Sequence, residues 1–191
     1  MKKNYEMDMC SGPILGKLLT FTIPLIFSGI LQLLFNAADV IVVGRFAGSQ
    51  SLAAVGSTTA LINLMINIFI GLSVGVNVIV ARYYGAKREK DVQDTIHTAM
   101  ALSIVSGLFL IILGQLLSRP MLELMGTPDD VIDKSTIYMR IIFIGMPANM
   151  IYNFGSAILR AVGDTKRPLY FLTAAGVINV VLNLFFVIMF R

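Results

Sequence analysis

Cysteine and histidine are nearly absent from this chain, and each shortage closes off a class of chemistry. Cys10 is the one cysteine among 191 residues, so there is no internal disulfide and no thiolate cluster for a metal. His97 is the one histidine, which leaves a transition-metal site without its usual ligands. No metal cluster and no credible catalytic triad can be assembled, so neither an enzyme nor a bound cofactor is expected. Charge is scarce too. Asp, Glu, Lys and Arg make up 14% of the residues, against about 25% in soluble domains.

What fills the space is apolar. Hydrophobic residues account for 57% of the chain and mean hydropathy is +0.82, which marks an integral membrane protein. The net charge of +4 is then loop charge beside a membrane, and no nucleic-acid partner is expected. Lys2 and Lys3 precede an apolar run that is too long for a signal-peptide core, and more such runs follow, so it is read as a retained helix.

A bilayer span needs about 20 apolar residues. Five stretches qualify, roughly 18–44, 52–82, 95–117, 134–160 and 168–190. The expected fold is an all-α polytopic transmembrane bundle. Pro24 and Pro147 remove backbone donors inside spans and are expected to bend them. Thr127-Pro128 reads as an N-cap with proline at the first helical position, after a short amphipathic turn at 121–125. Gly163 and Pro168 read as the end of one helix and the opening of the next. Gly71 and Gly75 form a GxxxG that allows close helix approach. The same residues spell G-x-S-x-G around Ser73, but within an apolar helix the pattern reads as packing rather than a nucleophile elbow. His97 is expected to be interfacial and solvated.

Lys and Arg set orientation. The N-terminal segment, the 82–94 loop and the 160–167 connection carry ten of them, and the opposite loops carry four. The N-terminus is therefore expected in the cytoplasm, with the protein in the cytoplasmic (plasma) membrane. Arg191 then follows the last span directly, which reads as a truncated chain.

One residue resists a purely structural account. Asp39 lies inside the first apolar stretch, where a carboxylate costs roughly 2.5–3.5 kcal/mol on insertion scales. At 100° per residue, Ser28 and Gln32 lie about 20° to either side of it and Asn36 about 60° away. These four make a polar stripe on one face. Interhelical hydrogen bonding explains Ser28 or Asn36 well. It explains an ionisable Asp39 poorly, because no Lys or Arg lies in that apolar segment. Other polar faces recur: Asn63 with Asn67, Ser73 with Asn77, Asn179 with Asn183, and a stripe of Asn149, Asn153, Ser156 and Arg160.

The order of several motifs resembles the MATE (multidrug and toxic compound extrusion) family. Gly12-Pro13-Ile14, Pro24-Leu25-Ile26, Asn36-Ala37-Ala38-Asp39 and Val43-Gly44 are similar to its first helix. Gly126-Thr127-Pro128-Asp129 resembles an external loop. Arg160-Ala161-Val162-Gly163-Asp164-Thr165-Lys166 and Ile178-Asn179-Val180-Val181-Leu182-Asn183 resemble its fourth-to-fifth connection and fifth helix. The resemblance implies five spans of a six-helix lobe in a twelve-helix transporter, with residues 1–191 as an incomplete N-terminal lobe. A sixth helix and a C-terminal lobe are the missing partners.

The resemblance also implies roles. Asp39 is the coupling carboxylate for Na⁺ or H⁺, Pro24 is a bend point, and Asn179 and Asn183 complete the cation site. Some members carry an acid where this chain has Asn183, so the choice of ion stays open. Gln32, Asn36, Tyr152 and Asn153 are candidate cavity contacts, with interhelical hydrogen bonding as the alternative for each. The expected activity is export of amphipathic, often cationic, drug-like compounds by alternating access. A lipid-linked-saccharide flippase is the rival transporter; it needs cationic residues in the cavity, and Arg140 is the residue to watch. A non-transporting membrane protein is the third reading.

Overall fold

The computed structural model describes residues 12–46 and 48–189. Six helices follow one another: α1 Ile14–Phe46, α2 Ser49–Gly85, α3 Glu89–Leu124, α4 Asp129–Ile144, α5 Met146–Ala161 and α6 Lys166–Met189. No strand occurs among the described residues. Helices α1, α2, α3 and α6 are each long and apolar enough to cross a membrane. Helices α4 and α5 are together long and apolar enough to cross a membrane, with a bend of 48° between them.

The break falls at Gly145, two residues before the proline expected to cause it. Pro147 has no N–H to give to the preceding turn, so α4 closes on Gly145 and α5 restarts. Packing holds the bend in place. The Pro147 backbone lies so close to Gly107 of α3 that a Cβ at position 107 would overlap it. Pro24, by contrast, sits buried inside a helix assigned as continuous from Ile14 to Phe46. The Ser28 hydroxyl donates to the Pro24 carbonyl at 2.9 Å.

Two expectations about helix ends are corrected. Residues 121–125 are not a separate turn, because α3 runs through Pro120 to Leu124. Leu122 is fully buried there, and an i,i+4 pair of Arg119 with Glu123 at 3.0 Å spans the last turn. Thr127 is not the N-cap of α4; Pro128 holds that position and makes no side-chain cap. Gly126 instead closes α3 in the left-handed region, at φ 71°. Its N–H and that of Thr127 donate to Glu123 and Leu122, the double bond of a Schellman ending. The α5–α6 connection follows the sequence expectation. Gly163 turns at φ 85°, and the buried Asp164 carboxylate accepts the Lys166 and Arg167 N–H groups at 3.1 Å each.

The core belongs to four helices. Val80 of α2, Leu110 of α3, Met139 and Phe143 of α4, and Met150 and Phe154 of α5 are all fully buried. Among the described residues, none of α1 or α6 joins this cluster. Those two helices pack chiefly on each other, with the Phe35 ring lying against Gly176 so closely that no Cβ fits there. A third close approach sets Phe143 on Gly114. The GxxxG at Gly71 and Gly75 makes no such contact: a Cβ at either meets nothing within 4 Å. That face of α2 is exposed, so glycine spacing alone misidentifies the packing surface.

Candidate functional site

Asp39 is partly buried on the side of α1 that faces α6. The Asn183 Nδ2 donates to its Oδ1 at 2.7 Å. The Asn179 amide, oriented to donate, places its nitrogen 3.0 Å from Oδ1 and 3.2 Å from Oδ2. The two asparagines reach one acid because they are four residues apart on one helix face. Hydrogen bonds to a charged group are worth about 1.5–3 kcal/mol each, enough to offset much of the cost of a carboxylate in this setting. Among the described residues Asp39 has no ion pair. Two neutral amide dipoles are directed at its carboxylate.

The carboxamide is a two-faced ligand. Its NH₂ matches an ionised carboxylate; turned over, its carbonyl matches a protonated carboxyl or a hard cation. Asp39, Asn179 and Asn183 therefore form a group that can exchange one kind of partner for another by side-chain rotation.

The polar stripe of α1 divides. Gln32 and Asn36 line a cleft of about 620 Å³ between α1, α2 and α5. Asn63 and Asn67 of α2 and Asn149 and Asn153 of α5 face the same space. Leu33, Ile66 and Ile70 supply its apolar wall. The Asn153 Nδ2 donates to the Asn149 Oδ1 at 2.7 Å and to the Asn149 carbonyl at 2.9 Å. Tyr152 does not line the cleft; its hydroxyl donates to the Pro168 carbonyl at 3.4 Å, across the α5–α6 turn.

Asn63, Asn67 and Asn149 are visible as same-face amides in the sequence, but nothing there shows that three helices turn those faces toward one another. Not every polar pair joins the cleft. Asn77 donates to the Ala157 carbonyl at 2.7 Å and ties α2 to α5. Ser73 is buried and donates to the Ile70 carbonyl of its own helix, a packing role with no elbow. Arg140 is exposed and lies outside the cleft lining. His97 is exposed within α3.

A helical bundle with an acid held between two spans by amides, beside an amide-lined cleft, defines a polytopic integral membrane protein with a polar intramembrane site. The chain belongs to the MatE family, whose model matches residues 24–185. It is 35% identical over 162 residues to the probable multidrug resistance protein YoeA of Bacillus subtilis, covering 85% of this chain and 35% of that protein. It is 28% identical over 176 residues to a FAD transporter of Shewanella oneidensis, covering 92% of this chain and 38% of that one. A crystal structure of MATE in the bent conformation superposes with a TM-score of 0.83 at 27% identity, over 90% of this chain and 38% of that one. A MOP superfamily transporter from Pyrococcus furiosus, described as having a binding pocket of reverse polarity, gives the same TM-score, identity and coverage. The chain thus spans little more than a third of the length of these relatives.

Proposed function

We propose that this chain supplies the ion-coupling half of a secondary antiporter that exports amphipathic organic compounds in exchange for Na⁺ or H⁺. The observation that carries the reading is Asp39, joined to Asn179 and Asn183 of α6 and, among the described residues, paired with no cation. A group held this way can take up a proton or a sodium ion without first breaking a salt bridge. Uptake neutralises the acid and removes the reason for the amides to donate. The α1–α6 contact then changes, and with it the cleft that the same helix lines. Cargo in the cleft and cation at Asp39 are thus read by adjoining parts of one polar face of α1. One charge moving inward gains about 2.3 kcal/mol per 100 mV, which is a useful bias on a two-state equilibrium.

The relatives named for multidrug resistance and for FAD support transport of small organic molecules. The lining of the cleft disfavours the flippase, since among the described residues no Lys or Arg lines it for a pyrophosphate. The Lys and Arg distribution supports a cytoplasmic N-terminus in the plasma membrane. Asp39→Asn in the protein as its gene encodes it, reconstituted in vesicles, is the test. Ion-driven efflux of a fluorescent dye is expected to fall at least tenfold while the protein still folds. Undiminished coupled efflux rejects the assignment.

A further inference from the structure

The α1–α6 seam holds more than the acid and its two amides. Phe35 lies about one helical turn before Asp39 on α1. On α6, Gly176 precedes Asn179 by three residues and Asn183 by seven. At these spacings each set shares one helix face. The two faces meet at two levels. The Phe35 ring lies on Gly176, and further along both helices Asn183 reaches Asp39 at 2.7 Å. Gly176 is buried, and a Cβ there would overlap the ring. Glycine at this point is what lets the α6 backbone come up to Phe35.

Distance is what makes the ring contact matter to the acid. A hydrogen bond weakens with separation and at about 3.6 Å is no longer one. The Asn183 nitrogen is 2.7 Å from Asp39 Oδ1, and the Asn179 nitrogen is 3.0 and 3.2 Å from Oδ1 and Oδ2. Parting the helices by about one ångström along these bonds therefore breaks all of them. An asparagine has a single methylene between backbone and amide, so it has little reach with which to follow a receding acid.

We infer that Phe35 and Gly176 are positioning residues for the cation site. Their contact fixes the separation of α1 and α6 at which Asn179 and Asn183 can address Asp39, and so sets the ion concentration at which the site fills. The inference rests on the proposed role of Asp39 and adds the residues that gauge its distance from α6. Both act through the amides rather than on the ion.

The test uses the protein as its gene encodes it, reconstituted in vesicles, with dye efflux driven by sodium or by protons, whichever drives the unaltered protein. The quantity read is the ion concentration that gives half-maximal efflux, beside the maximal rate and the melting temperature. Gly176→Ala crowds the seam from α6, and Phe35→Trp crowds it from α1. Each is expected to move the half-saturating concentration about tenfold. Adding Phe35→Leu to Gly176→Ala relieves the crowding and is expected to bring that concentration back to within about threefold of the parent. Where Gly176→Ala fails to assemble, Phe35→Trp and the double variant carry the same test. Gly114→Ala is the comparison, because a Cβ there overlaps Phe143 in the four-helix core. It is expected to lower the melting temperature and leave the half-saturating concentration within about threefold.

If Gly176→Ala and Phe35→Trp lower only the melting temperature, the ring gives way and the inference falls, while loss of coupled efflux in Asp39→Asn keeps the acid in its role. The inference falls equally if Gly114→Ala moves the ion requirement as far as Gly176→Ala does. If neither ion drives efflux, or Asp39→Asn leaves coupled efflux undiminished, both readings fall.

Discussion

Helices α2–α5 and the pair α1–α6 differ in where their polar side chains do most of their bonding, although Asn77 of α2 also reaches α5. In the four-helix core, hydroxyls such as Thr58, Ser103 and Thr136 donate to carbonyls three or four residues back in their own helix. They consume their polarity locally and leave the packing to Phe143, Phe154 and Met150. Across α1 and α6, polarity reaches between helices, from Asn179 and Asn183 to Asp39. Among the described residues, the core cluster takes nothing from α1 or α6. The difference teaches that the buried frame and the α1–α6 pair are held by different kinds of contact.

Substitutions can break that contrast in graded steps. The largest effect is expected from Gly114→Leu, whose side chain collides with the fully buried Phe143. Overpacking of this kind costs about 3 kcal/mol at the upper end of its usual range, and a thermal melt in detergent should show a large drop or no folded protein. Asn183→Leu comes next. Loss of a hydrogen bond to a charged group costs about 1.5–3 kcal/mol, and sodium or acid should then no longer shift the melting curve as in the parent. A sodium-induced shift of unchanged size would uncouple Asn183 from the acid.

Gly176→Ala tests the same seam by sterics. Its methyl meets Phe35, which is only partly buried. Destabilisation of about 1 kcal/mol is expected, well below that of Gly114→Leu. Equal losses at the two glycines would erase the distinction between frame and pair. Gly71→Ala should do least. Nothing lies near its Cβ position, and the helix gains about 0.5–1 kcal/mol when glycine is replaced by alanine. A marked loss of stability there would restore the GxxxG packing that the structure does not show.

How much of the molecule is legible in the chain depends on the kind of signal. Hydropathy marks the apolar runs, because a bilayer is the one solvent that demands an apolar run of that length. It stops short at their ends: α2 continues to Gly85 and α3 begins at Glu89, where charged residues keep helical geometry beyond the apolar stretch. Asp39 stands out because a lone acid in such a run is costly. Its pairing with α6 is implied only by the family resemblance, since a contact 144 residues away leaves no local trace. Proline marks the broken span but misplaces the break by two residues, as Gly145 yields first. The glycines fail most plainly. Gly107, Gly114 and Gly176 differ from Gly71 only in what stands opposite them, which periodicity does not encode.

Helix α2 presents Leu61, Ile62 and Met65 to the core and, interleaved with them in sequence, Asn63 and Asn67 to the cleft. Mutational drift can therefore revise one side of this rod while selection for folding holds the other. Single amide exchanges on the cleft side leave the apolar contacts of the other side in place.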